Sequence, residues 1–128
     1  MLRRLLARNS IAAAILLAIA PGGARPQETV ATIKGYVLDS ACAFIKNLEK
    51  PVSTECALAC AKAGSPLVIL ADDGTIYWPI SRAMPATGEN VRLMKFAGKR
   101  IIASGKIFER GGSRAVVIDK IEAAPSGK

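Results

Sequence analysis

The stretch Val30-Ala31-Thr32-Ile33-Lys34-Gly35-Tyr36-Val37-Leu38-Asp39 decides the fold. Its alternation predicts an extended segment with Ile33 and Val37 on one face and Tyr36 and Leu38 on the other, because successive side chains of a strand point to opposite sides. Gly35 interrupts the pattern, and a glycine inside a strand marks a bulge or a sharp bend. A strongly bent first strand is what a small five-stranded barrel requires.

Downstream, residues 41–52 read as irregular or briefly helical and end at Pro51. A helix follows. Ser53 or Thr54 can cap it, Glu55 stands in its first turn, Lys62 in its last, and Gly64 supplies the stop before Ser65-Pro66. Stepping by three and four places Cys56, Ala59, Cys60 and Ala63 on one face. Leu67 to Ala71 and Thr75 to Ile80 read as strands joined by Asp72-Asp73-Gly74, whose Asp-Gly is a two-residue hairpin signal, and Pro79 ends the second. Pro85 and Gly88 keep the next stretch a loop. Asn90 can cap a short helix through Phe96, closed by Gly98, and Lys99–Phe108 and Arg114–Ile121 form a last hairpin around Gly111-Gly112. The expected fold is therefore mainly β. It is a five-stranded OB-like, partly open barrel, with a Cys-bearing helix inserted between strands 1 and 2 and a short helix between strands 3 and 4. A five-stranded sandwich is the rival, since periodicity does not determine strand order in space.

The start of the chain carries different information. Arg3, Arg4 and Arg8 precede the apolar run Ile11 to Ala20, and Gly22, Gly23 and Ala24 follow, the arrangement of a secretory signal peptide. That run is about ten residues, well short of the roughly 20 that span a bilayer. Cleavage is expected after Ala24 or, less favourably because Pro21 would follow, after Ala20. The Arg3-Arg4 pair gives only a faint twin-arginine pattern. The expected organisation is a signal peptide over 1–24, a linker over 25–29, the OB-like domain over 30–122 and a frayed tail over 123–128, in a periplasmic or secreted protein. The full chain of 128 residues has 18 Lys and Arg against 10 Asp and Glu. Removing residues 1–24 takes away three Arg, leaving a net charge of +5 spread without a basic run, which reads as a solvated surface.

Composition excludes much chemistry. There is no His, so Ser-His-Asp and Cys-His catalysis and His-ligated metal or haem sites are ruled out. Glu28, Asp39, Glu49 and Glu55 show no spacing of a paired-carboxylate mechanism. Asp72-Asp73-Gly74 lacks the remaining ligand positions of a calcium loop and reads as a turn. Tyr36, Tyr77 and Trp78, with Lys34, Lys99, Arg100 and Lys106, could stack single-stranded nucleic acid. The aromatics are few, though, and export makes nucleic acid an unlikely partner; they read as packing. The sequence names no partner and leaves a protein or small ligand of the periplasm open.

The segments Asp39-Ser40-Ala41-Cys42, Thr54-Glu55-Cys56-x3-Cys60-Ala61-Lys62-Ala63-Gly64 and Gly98-Lys99-Arg100-Ile101-Ile102-Ala103-Ser104-Gly105 together resemble small secreted bacterial OB-like domains of unknown function. The resemblance runs from Ile33 to Glu122. Some such sequences carry a His shortly after the first Cys; this chain has none, so no metal role of that His transfers.

Function rests on three thiols. In an oxidising compartment one structural disulfide plus one buried or modified Cys is the plain expectation. Cys56 and Cys60 are one helical turn apart, a poor bridging geometry, so Cys42 is the natural partner of either. Closing that loop of about 15 to 19 residues contributes roughly 3 kcal/mol, a large share of a small domain's stability. The expectation is then a non-catalytic accessory or binding module, stapled from Cys42 to the Cys56/Cys60 helix and without a cofactor. The alternative uses all three thiolates for a soft ion such as Cu(I) or Hg(II). Met84 or Met94 could add a thioether but read as core. Zinc is less attractive because structural zinc takes four ligands, usually Cys and His. In a thiol-redox version of the alternative, Cys56 in the first helical turn is the reactive thiol. No Cys-x-x-Cys motif supports it.

Overall fold

A computed structural model describes residues 27–46 and 52–125, together with Gly23. The expected signal peptide and its cleavage sites lie outside these residues, apart from Gly23, as do residues 47–51 and the last three of the tail.

Five strands form a closed barrel. They are β1 (Gln27–Asp39), β2 (Leu67–Ala71), β3 (Ile76–Pro79), β4 (Arg100–Arg110) and β5 (Ser113–Ala123). The order around the barrel is β1-β2-β3-β5-β4, and β1 also pairs with β4. This is the five-stranded OB-type architecture, closed rather than partly open. Closure comes from a short parallel pairing of Tyr77, Trp78 and Pro79 with Arg114, Ala115 and Val116. The sandwich rival is thereby excluded.

The long β1 serves two neighbours. Residues 27–36 pair with β4, residues 35–39 with β2, and Gly35 stands in both registers. A Cβ on Gly35 would lie 2.1 Å from the Leu70 carbonyl oxygen, and one on Gly105 would lie 2.1 Å from that of Val117. Both glycines therefore permit a close backbone approach where the sheet coils, and neither has a positive φ. β1 begins at Gln27, so residues 27–29 of the expected linker are strand, and β5 runs to Ala123.

The interior is filled by Ile33, Val37, Ile69, Ile101, Ile107 and Val116, with Leu93 and Phe96 from the segment between β3 and β4 closing one end. Fully burying one such side chain is worth about 1.5–3 kcal/mol. A second cluster lies outside the barrel wall. Leu38, Ala43, Val68 and Leu70 pack there with Tyr36, Val52, Ile76 and Trp78. β2 is consequently buried on both faces, which explains the unbroken apolar run Leu67 to Ala71.

The short helix α1 (Ser40–Ile45) covers this outer cluster through Ala43. Helix α2 (Thr54–Lys62) starts at its cap Ser53, whose Oγ accepts the Cys56 N–H at 3.1 Å. Its buried residues are Ala57 and Ala61, so the small-residue face facing the protein is rotated from the expected Cys56/Ala59/Cys60/Ala63 stripe. Ala59 and Ala63 are exposed and both cysteines sit at the boundary. Ala57 and Ala61 supply the small methyls the core takes, and Cys56 faces α1, where its sulfur meets that of Cys42.

Turns follow their glycines with one adjustment. The β2–β3 loop spans four residues, 72–75, with the Ala71 N–H donating to Thr75 O at 2.9 Å and Gly74 at φ +86°. Gly111 and Gly112 both have positive φ and make the two-residue β4–β5 turn. Between β3 and β4, α3 (Asn90–Leu93) continues into a 3-10 turn (Met94–Phe96). Asn90 does not cap it. Its side chain reaches across instead, accepting the Leu67 N–H and donating to the Ser65 carbonyl, each at 2.8 Å.

Candidate functional site

The site is built where β1 turns into α1. Asp39 is the last residue of β1 and the N-cap of α1, its Oδ2 accepting the Cys42 N–H at 3.2 Å. The Asp-x-x-Cys spacing is thus capping geometry, a side chain meeting the backbone three residues on. Ser65, in the turn after α2, donates its hydroxyl to the same oxygen at 3.5 Å and lies 3.5 Å from the Ser40 hydroxyl. Asn90 holds Ser65 in place through its carbonyl.

Asp39 has no exposed surface. Its second oxygen, Oδ1, has no hydrogen-bond partner, and none of the ion pairs among the described residues includes it. A buried polar oxygen left without a hydrogen-bond partner costs free energy.

The Cys42 Sγ lies 3.9 Å from the Cys56 Sγ, with α1 and α2 each presenting one sulfur. Cys60 stands one turn further along α2. All three are free thiols, half-buried. The Cys42–Cys56 separation exceeds the roughly 2.05 Å of a disulfide bond. It matches the roughly 3.8 Å that separates two sulfurs bound at about 2.3 Å to one tetrahedral ion. Cys42 comes near Cys56 but not to disulfide distance, so the expected staple from Cys42 to α2 is not formed here. Among the described residues, no three His, Cys, Asp or Glu side chains already converge on one metal position.

The electrostatics follow from Asp39. The Cys42 thiol donates toward that carboxylate, which with burial and the neighbouring Cys56 pushes its pKa up to about 12. Cys60 is also pushed up, by desolvation first and then by Asp39 and Cys56. Thiol–disulfide exchange needs a thiolate, so this environment makes Cys42 a slow nucleophile. Asp39 was legible in the sequence only as a carboxylate without a partner, because nothing local signals its complete burial.

The other candidates disperse. Tyr77 packs on the barrel interior, whereas Tyr36 and Trp78 pack on the outer cluster, so the three do not form one stacking platform. Arg100 lies over the Tyr36 ring and pairs with Asp72 at 2.8 Å. Met84 is exposed and Met94 packs against the core. Asp73 accepts the Thr75 N–H within its own turn at 2.9 Å. Among the described residues no helix is long and apolar enough to cross a membrane. No family model, curated protein or solved structure matches the chain.

Proposed function

We propose that this chain is an exported, non-catalytic OB-type module that holds a soft metal ion through Cys42, Cys56 and Cys60. The observation that carries the proposal is the 3.9 Å approach of the Cys42 and Cys56 sulfurs beside a buried carboxylate with no counter-ion. Three thiols on two short helices supply soft donors. Metal binding would pull the thiol protons off a site otherwise held protonated. Export is supported by the Arg-rich start, the short apolar run and the small residues after it.

A second reading is favoured by the same sulfur contact: in an oxidising compartment Cys42 and Cys56 would close a structural disulfide between α1 and α2, with Cys60 left over. Alkylation with intact mass, combined with elemental analysis of protein purified from the periplasm without reductant, separates the two. The metal reading expects near-stoichiometric soft metal and three alkylatable thiols after denaturation with a chelator. One alkylatable thiol and no metal would establish the staple instead. The same mass identifies the mature N-terminus, and an intact Met1 in the soluble fraction would overturn export.

A further inference from the structure

We propose that this protein pairs with a second copy of itself along the free half-edge of β1, the two strands meeting antiparallel across Val30 to make one continuous sheet. The inference stands apart from the thiols and rests on the register of the barrel.

Strand β1 has two edges, and only one of them is covered along most of its length. Residues 27–36 pair with β4, while β2 covers the other edge only over residues 35–39. In a strand the N–H and C=O of one residue point to the same edge, and those of the next residue point to the other. Two sets of bonds fix which residue faces which way. Val37 turns both groups to the β4 side, its N–H donating to the Lys99 carbonyl at 3.2 Å and its carbonyl accepting the Gly98 N–H at 2.7 Å. Lys34 faces the β2 side, where its carbonyl accepts the Asp72 N–H at 2.9 Å. No register shift interrupts β1 against β4, so Glu28, Val30 and Thr32 face the same side as Lys34. Among the described residues no strand lies on that side of them, and no backbone hydrogen bond reaches them from it.

This free stretch is symmetric about its centre. It is bounded by Lys34, whose carbonyl is already in use, and by residue 26, a proline with no N–H to donate. A two-fold axis at Val30 sets Val30 opposite its own copy and Glu28 opposite Thr32 of the second copy, and each such pair exchanges both of its N–H···O bonds. All the free backbone groups of these three residues are then used. The side chains agree with that register. Val30 is 75 % exposed, and it packs on its copy across the axis, while Glu28, Thr29 and Thr32 are exposed beside it. The edge also lacks the devices that keep strand edges apart. Residues 28–32 contain no Pro, no Lys and no bulge, and the charge of Glu28 is held by Lys106 and Arg82. A pairing of about five residues a strand makes a small interface, so the association is reversible and depends on concentration.

The test is sedimentation velocity of protein purified from the periplasm and kept reduced, so that no intermolecular disulfide contributes, from micromolar to millimolar concentration. A monomer–dimer equilibrium is expected, with amide exchange at Glu28, Val30 and Thr32 slowing as the dimer fills. Val30→Lys sets like charges opposite each other on the axis, and Val30→Pro removes an N–H that faces away from β4. Both leave the pairing within the barrel intact, which their unfolding midpoints check. Each should weaken self-association about tenfold or more. Val91→Lys, at another exposed apolar residue, should leave it unchanged. A chain that stays monomeric at millimolar concentration overturns the proposal. So does a dimer that survives both Val30 variants, or one that Val91→Lys dissolves, since association would then run through a different face.

Discussion

The Cys42 and Cys56 sulfurs touch at 3.9 Å across two helices, although fourteen residues separate them in the chain. Asp39 is the largest of the influences that keep the Cys42 thiol protonated. Because the Cys42 thiol is held protonated up to about pH 12, native-state alkylation near pH 8 should label Cys42 last of the three. A folded-state pKa above the unfolded thiol value means the native state binds more protons, so this contribution is complete below about 8.5 and is lost as pH rises toward 12. Denaturant unfolding of the reduced, metal-free protein should show declining stability over that window. The decline should be smaller in Cys42→Ser, and an equally steep decline there would contradict the assignment.

Gly35→Ala should destabilise the barrel by about 1–3 kcal/mol, since the added methyl meets the Leu70 carbonyl at a distance no packing tolerates. Gly105→Ala meets the Val117 carbonyl in the same way. Thermal unfolding of each variant checks this. An unchanged midpoint for Gly35→Ala would mean that β1 can open away from β2 without cost.

Asn90→Ala should cost roughly 1–3 kcal/mol, because it leaves the Leu67 N–H and the Ser65 carbonyl without their partner. Hydrogen exchange at Leu67 should speed up before the rest of β2 does.

Glu28 should titrate below the ordinary glutamate range, chiefly because Lys106 hydrogen-bonds it at 2.8 Å, with Lys106 and Arg82 adding attraction. Its contribution is present above the ordinary value and disappears as pH falls through the lowered one. The pair is exposed, so salt should screen it. Carboxyl NMR titration with Lys106→Ala, expected to return Glu28 toward the usual value, is the measurement.

Local signals in the sequence determined the five strands, the turns and the α2 boundaries. Gly111-Gly112 can take the two positive φ angles of a tight hairpin, Ser53 can cap a helix, and the apolar spacing marks strands. Each depends on a few neighbouring residues, which is why it is readable along the chain. Other features depend on groups remote in sequence. The parallel β3–β5 pairing closes the barrel. The outer cluster under α1 buries the second face of β2, and Ala57 and Ala61 rather than the cysteines turn inward from α2. Asn90 leaves its own helix to bridge Ser65 and Leu67. The burial of Asp39 is the clearest case. Its spacing to Cys42 is a local capping pattern, but whether its other oxygen meets water, a cation or nothing depends on how α1, α2 and the Ser65 turn pack over the end of β1, and that is settled only when all of them are in place.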